Sequence, residues 1–192
     1  MSPFVRGDEV ASKFNECRLV PIHLAFSVVS GRSHFLSTLM HVALEPVDQP
    51  DIIALIDALD AYQGALYPPE SNYHLSVAEL MQPNVLFSVA RDDDGTALGC
   101  GAIVLLDGYG ELKRMYVQPA KRGHGIAKAI ITFLEREATG RECTILRLET
   151  GIHQAEALGL YERAGYSRRG PYGDYPPDPL SVFMEKKLSR PP

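Results

Sequence analysis

A glycine-containing loop is the clearest site for chemistry in this sequence. A predicted strand ends at Val117, Pro119 breaks it, and Arg122–Ala127 opens a predicted helix. The first amides of a helix lack intrahelical acceptors and lie at the positive end of its dipole, and glycines let an anion approach the backbone. Arg122 adds a formal positive charge. The loop is therefore suited to phosphate, although two glycines alone also fit a plain turn.

Two common phosphate loops are excluded. The segment lacks the Gly-Lys-Ser/Thr ending of a Walker loop, and Lys128 replaces the third glycine of the dinucleotide fingerprint. A second pattern follows later in the chain, where residues 154–166 read Gln-x-x-Ala-x-x-Leu-Tyr-Glu-x-x-Gly-Tyr. Two motifs in a fixed order are far more specific than either one alone.

Together these motifs resemble the Gcn5-related N-acetyltransferases, the GNAT family. Its pyrophosphate loop reads R-x-x-G-x-A after a strand, and its later helix usually reads Asn-x-x-Ala-x-x-Leu-Tyr before Gly-Phe/Tyr. The likeness spans residues 41–188 and departs at Gln154, where asparagine is usual. Residues 148–151 and 172–175 look most like bacterial small-molecule members. The resemblance implies an acyltransferase with acetyl-coenzyme A as its co-substrate.

The resemblance also implies which residues hold acetyl-coenzyme A. The pyrophosphate would lie on the glycine loop, and the main chain of the preceding strand would pair with the pantetheine arm and stabilise the oxyanion. Gln154 would add a contact from the later helix. The expected cofactor-binding residues are Met115, Tyr116, Val117, Arg122, Gly123, His124, Gly125, Ile126, Ala127 and Gln154.

Acetyl transfer to an amine requires a base, because an ammonium with a pKa near 10 is almost fully protonated at neutral pH. Resemblance makes Glu111 the expected general base, although a glutamate at the end of a strand also fits a plain surface position. Glu149, at the end of the next strand, is a second candidate. Tyr161 matches the family tyrosine that protonates the departing thiolate; otherwise it is a half-buried helix residue.

The acceptor site is expected in two loops. Tyr67 and Glu70 lie where the family's variable loop borders the acceptor cleft, and Tyr172 and Tyr175 precede the last strand. Aromatic walls with a carboxylate such as Glu70, or Glu149 from the strand, suit a small amine or amino acid, but ordinary loop packing explains the same residues equally well.

Composition narrows the class of protein. The 192 residues carry a net charge of −5 and no long Lys/Arg run, which argues against nucleic acid as a partner. The apolar run at 19–29 is too short to span a membrane. Three separated cysteines, none in either motif, favour a reducing, cytoplasmic setting and a direct transfer rather than a covalent enzyme intermediate. The scattered histidines predict no metal site.

The apolar periodicity predicts the elements that position these residues. Strands are expected at 42–45, 85–91, 97–106, 111–117, 144–149 and 181–187, with helices near 48–66, 76–81, 123–139 and 155–164. Strict alternation puts Glu111, Lys113 and Met115 on one face of their strand. The predicted class is α/β, with a mixed, mostly antiparallel sheet, helices on both faces and a parallel βαβ unit at the acetyl-coenzyme A site.

One GNAT domain is expected over residues 40–188, followed by a tail at 189–192. Residues 1–39 are expected to be an extension upstream of a natural start at Met40, or an accessory arm. The leading hypothesis is acetyl transfer to a primary amine of a small molecule or amino acid, with a homodimer possible. The alternatives are an acyl-coenzyme A sensor without catalysis and an acetyltransferase acting on proteins or peptides.

Overall fold

The computed structural model describes residues 40–189, so the predictions for residues 1–39 and 190–192 lie outside the described residues. In chain order the elements are β1 (Met40–Leu44), α1 (Pro50–Leu66), α2 (Val77–Leu80), β2 (Val85–Asp92), β3 (Ala97–Leu106), β4 (Tyr109–Val117), α3 (Ile126–Thr139), β5 (Ile145–Gly151), α4 (Ala155–Arg163), β6 (Ser167–Arg169) and β7 (Ser181–Lys187). Short 3-10 turns occupy Pro69–Ser71 and Pro119–Lys121.

Within residues 40–189 the strands form one seven-stranded sheet in the order β1-β2-β3-β4-β5-β7-β6. Neighbouring strands are antiparallel, except that β4 and β5 are parallel. Helices α3 and α4 pack on one face, and α1 and α2 pack on the other. The predicted mixed sheet with its parallel βαβ unit is confirmed.

Local sequence signals explain most of these elements. Helix α3 buries apolar side chains at helical spacing, namely Ile126, Ile130, Ile131, Leu134 and Ala138. The β2–β3 hairpin turns at Gly95, which has a φ of 79°, and the Thr96 amide donates to Asp92 Oδ1 at 2.9 Å. The sequence does not predict β6, because its three residues are too few for a periodic signal and form a strand by pairing with β7.

Strand β4 contains a bulge. Its pairing with β3 shifts between Cys100 and Ala102, so that Gly101 lies opposite both Arg114 and Met115. Arg114 has a positive φ of 56°, which is unusual for a residue with a side chain. A bulge inserts one extra residue, so the alternation of side chains reverses beyond it.

The predicted alternation along β4 is therefore wrong after Lys113. Strict alternation places Met115 on the face of Glu111, but Met115 packs into the core beneath α3, as Leu112 does. A Cβ added at Gly101 would collide with the Met115 sulfur and with Ile130 of α3. The extra residue turns the Arg114 side chain toward α1, where its guanidinium pairs with Asp60.

Strands β3 and β4 approach so closely beside the bulge that one added methyl group is predicted to destabilise the protein. A Cβ at Gly99 would lie 2.5 Å from the Tyr116 carbonyl oxygen, and a backbone atom cannot move aside cheaply. Gly99→Ala should lower the free energy of unfolding in urea by about 2 kcal/mol. The matched control is Gly64→Ala in α1, where no heavy atom lies within 4 Å of the added Cβ. It should raise stability by up to about 1 kcal/mol. Equal stabilities would contradict a rigid β3–β4 contact.

Candidate active site

A wedge opens between the parallel strands β4 and β5. The strands pair through three positions, the last being Leu112 with Leu148. Beyond them β4 runs to Val117 on β3, and β5 runs to Gly151 on β7. The facing edges of the two strands therefore carry backbone groups with no strand between them. Ligands of α/β sheets bind at such carboxyl ends of parallel strands.

The glycine loop lies at the open end of this wedge. Gly123 and Gly125 have φ values of 80° and 79°, and no heavy atom lies within 4 Å of a Cβ added at either residue. The Ala129 amide donates to the Gly125 carbonyl at 3.0 Å, which begins the hydrogen bonding of α3. The amides before it have no intrahelical acceptor. The open cradle and its donors fit a diphosphate.

Arg122 links the loop to the helices on either side of the wedge. Its guanidinium lies 5.7 Å from the ring centre of Tyr62 on α1 and 3.8 Å from the Glu156 carboxylate on α4. Its Nε–H donates to the Val117 carbonyl at 3.3 Å. His124 is exposed, with Nδ1 2.9 Å from the Arg122 carbonyl oxygen. Arg122 is therefore a partly exposed cation at the mouth of the wedge.

A polar cleft lies beside the wedge, on the α1 face of the sheet. Helix α1, the 67–74 loop, β4, the end of β5 and the start of α4 contribute its walls. The lining residues are Leu59, Gln63, Tyr67, Ser71, Asn72, Tyr73, His74, Leu112, Lys113, Arg114, Met115, Glu149, Gly151 and Gln154. The cleft brings together four residues proposed from the sequence, namely Tyr67, Met115, Glu149 and Gln154. Glu70 is exposed and does not line it.

Glu149 presents a carboxylate to this cleft. The Ser181 hydroxyl donates to its Oε1 at 2.6 Å. Burial raises the pKa of Glu149 above the ordinary glutamate value, while the Ser181 hydrogen bond and the nearby charge of Lys113 oppose the rise. A half-buried carboxylate with a raised pKa has the properties of a general base at neutral pH.

Glu111 has a different environment. Its side chain is buried and accepts hydrogen bonds from the hydroxyls of Tyr172 and Tyr175, at 2.9 and 2.6 Å. Lys113 Nζ lies 3.1 Å from the same carboxylate. Burial, together with the charge of Glu111, raises the pKa of both tyrosines. Glu111 and the two tyrosines thus contact one another and do not line the cleft.

Tyr67 closes one side of the cleft. Its hydroxyl accepts a hydrogen bond from the His153 amide at 3.0 Å, and its ring stacks on the His153 ring at 5.8 Å. The ring lies so close to Gly151 that no side chain fits there. The last residue of β5 is thus a glycine because an aromatic ring occupies the space of its side chain.

Tyr161 lies on the buried face of α4, in the hydrophobic core. It is buried, and its ring lies edge-on to Tyr166 at 5.9 Å. Burial is the main cause of a pKa above the ordinary tyrosine value, and the charge of Glu149 adds to it. Tyr161 therefore holds its proton at neutral pH. Gln154, which precedes α4, accepts a hydrogen bond from the Thr150 hydroxyl at 2.9 Å.

The sequence model of the acetyltransferase (GNAT) family matches residues 52–166, more than half of the chain. The chain belongs to the GNAT family. It is 47% identical over 149 residues to the "IAA acetyltransferase" of Azospirillum brasilense, which covers 77% of this chain and 97% of that protein.

Two solved structures are similar to this chain. A crystal structure described as a putative acyl-CoA N-acyltransferase from Klebsiella pneumoniae is 42% identical, with a TM-score of 0.67, over 79% of this chain and 99% of that one. The paia N-acetyltransferase of Thermoplasma acidophilum, solved with coenzyme A, is 16% identical with a TM-score of 0.60, over 77% and 98%. At that identity the likeness supports the fold alone.

Membership of the GNAT family confirms three expectations from the sequence: the family itself, its fold and an acyltransferase activity. No helix of residues 40–189 is long and apolar enough to cross a membrane. Over the same residues, no group of three or more His, Cys, Asp or Glu side chains could hold a metal ion.

Several residues of this GNAT site are missed by sequence reasoning. Tyr73 and Asn72 line the cleft, Ser181 binds Glu149, and Lys113 joins Glu111 to the 67–74 loop. Tyr73 sits beside a proline-rich stretch, which gives a weak signal for a structured loop. Ser181 has no signal, because its contact with Glu149 joins strands 32 residues apart.

Proposed function

We propose that this protein transfers an acetyl group from acetyl-coenzyme A directly to a primary amine of a small molecule or amino acid. One arrangement carries the proposal: the wedge between β4 and β5 has the glycine loop at its mouth and the Glu149 carboxylate in the cleft beside it. A ligand with a diphosphate at one end and a reactive acyl group at the other suits this arrangement.

Acetyl-coenzyme A supplies the acetyl group as a thioester. The Gly123–Ala127 loop and Arg122 are suited to its diphosphate because the loop combines free amide donors, a formal charge and glycines that leave room for close approach. The backbone of Met115–Val117 has an edge free of strand partners toward β5, suited to pairing with an extended arm. Membership of the GNAT family supports the same choice of co-substrate.

Glu149 is the better candidate for the general base. It lines the cleft and has one hydroxyl donor, Ser181, so its carboxylate can accept a proton from an amine or an intervening water. Glu111, in contrast, is occupied by three donors and lies outside the cleft lining. The neutral amine then attacks the acyl carbon, and a β4 amide near the bulge would stabilise the oxyanion.

Tyr161 is proposed to return a proton to the sulfur that leaves. Burial keeps the Tyr161 phenol protonated at neutral pH, so its O–H can donate to the sulfur while the carbon–sulfur bond breaks. Direct transfer is favoured over a covalent enzyme intermediate, because burial raises the pKa of the Cys100 thiol to about 12 and also raises that of Cys143. Neither thiol is activated as a nucleophile.

The acceptor is proposed to be small because the 67–74 loop, with Tyr67 and Tyr73, forms one wall of the cleft. A screen of thiol release from acetyl-coenzyme A should find turnover with free amines or amino acids. IAA belongs in the screen because of the Azospirillum relative's name. Turnover with peptides alone would instead support protein acetylation, and an absence of turnover with every acceptor would contradict the proposal.

Glu149 should set the acid limb of the pH–rate profile. A base works only when deprotonated, so kcat/KM should fall as the pH drops through the raised pKa of Glu149. Glu149→Gln should lower kcat/KM about 100-fold and remove this limb. Ser181→Ala removes a hydrogen bond to the charged form, so the limb should move to higher pH. If Glu149→Gln keeps the wild-type profile, another group is the base.

Tyr161 and Arg122 should affect different kinetic constants. Tyr161→Phe should lower kcat at least about tenfold with little change in KM for acetyl-coenzyme A, because the proton is needed only as the thiolate leaves. Arg122→Gln should raise KM for acetyl-coenzyme A about tenfold, because one charged contact is lost. Steady-state rates at several acetyl-coenzyme A concentrations separate these effects. An unchanged kcat for Tyr161→Phe would rule out its role as the acid.

A further inference from the structure

A buried polar network lies behind the cleft wall. Lys113 Nζ contacts three acceptors: the Tyr73 carbonyl oxygen at 2.9 Å, the Glu111 carboxylate at 3.1 Å, and the Tyr175 hydroxyl oxygen. An ammonium has three N–H donors, so these contacts use its full capacity. The hydroxyls of Tyr175 and Tyr172 each donate a hydrogen bond to Glu111.

This network ties three segments of the chain together. Lys113 and Glu111 belong to β4, Tyr73 belongs to the 67–74 loop, and Tyr172 and Tyr175 belong to the segment between β6 and β7. The side chains of Lys113 and Glu111 are only 11% and 10% exposed. Charges buried to this extent are tolerated only when paired and hydrogen-bonded, so the loss of one partner leaves the other uncompensated.

We propose that Glu111 and Lys113 are positioning residues for the transfer reaction: the pair holds the 67–74 loop against β4 and fixes the electric field at the Glu149 carboxylate. Lys113 provides both functions because it lines the cleft that contains Glu149 while donating to Tyr73. The role in catalysis rests on the proposed function of Glu149 as the base.

The two members of the pair act on Glu149 with opposite signs. The positive charge of Lys113 favours the ionised carboxylate and lowers the pKa of Glu149, whereas the negative charge of Glu111 raises it. Other groups also interact with Glu149 through hydrogen bonds or electrostatics. They are Ser181 at the start of β7, Asp178 just before it, Tyr161 on α4, Tyr67 and Tyr73 in the 67–74 loop, and Tyr172 and Tyr175 in the segment before β7. His74 and Arg114 also line the cleft, and Arg114 is paired with Asp60.

The test is a ¹³C NMR titration of the Glu149 carboxyl in the ligand-free protein, with the signal assigned by its loss in Glu149→Gln. Lys113→Met should raise the titration midpoint and Glu111→Gln should lower it, each on the order of half a pH unit. Gln keeps an acceptor oxygen for the two tyrosines. The double variant, which has neither charge, should return close to the wild-type midpoint and tests the proposal even if one single variant does not fold.

Matched controls come from a second half-buried pair, Lys186 and Glu135, which joins β7 to α3 at 2.7 Å. Lys186 pairs with Leu146, three residues before Glu149 and thus about 10 Å along β5. Lys186→Met and Glu135→Gln should leave the Glu149 midpoint unchanged. If both β4 variants shift it in the same direction, or neither shifts it, the proposal is overturned.

Kinetic measurements distinguish the positioning role of Glu111 and Lys113 from the proposed role of Glu149 as the base. The acid limb of kcat/KM should follow the NMR midpoints, and Lys113→Met should also raise the acceptor KM several-fold, because the 67–74 loop loses the hydrogen bond that joins Tyr73 to β4. Opposite NMR shifts without any change in the acid limb would keep the field effect of the pair but overturn its catalytic role. They would also remove Glu149 as the base.

Discussion

The separation of β4 from β5 is the constraint on which the site depends. In a sheet, adjacent parallel strands normally satisfy one another's backbone groups, but here the pairing ends at Leu112 and Leu148. Each strand is held on its other side, by β3 and β7, so the separation does not unravel the sheet. Both strands lead into helices, so the starts of α3 and α4 lie at the same edge. A single break in pairing thus brings together the glycine loop at the start of α3, a free strand edge and the Glu149 carboxylate.

The bulge at Arg114 is coupled to this separation. It lies just beyond the last β4–β5 pair, and bulges increase the local twist of a strand, which is consistent with the end of the pairing there. The same extra residue sends Met115 into the core beneath α3 and Arg114 toward Asp60 of α1. The positive φ of Arg114 costs energy, and the ion pair with the partly exposed Asp60 and the packed sulfur of Met115 supply contacts that offset this cost.

Much of the fold follows from local signals in the sequence. The glycine turn of the β2–β3 hairpin, the apolar stripe of α3 and the two-proline stop after α1 each depend on a few neighbouring residues, so their types were predictable. The bulge and β6 were not, because each exists through pairing with a strand elsewhere. The glycine loop and the later helix likewise predicted the family from two short motifs. The cleft walls come from five separate segments, and sequence spacing could not bring them together.

The choice between Glu111 and Glu149 illustrates this limit. Glu111 lies in β4 and Glu149 in β5, and their types and spacing do not distinguish them. What differs is the number of donors that long-range contacts direct to each: two phenols and an ammonium for Glu111, and one hydroxyl for Glu149. Glu111 makes all three of these contacts through Oε1 and lies behind the cleft wall. Glu149 lines the cleft, accepts a hydrogen bond from Ser181, and has a pKa that burial raises. Tyr172 and Tyr175 donate to Glu111 behind the cleft wall, and of the two glutamates Glu149 is the one that lines the cleft.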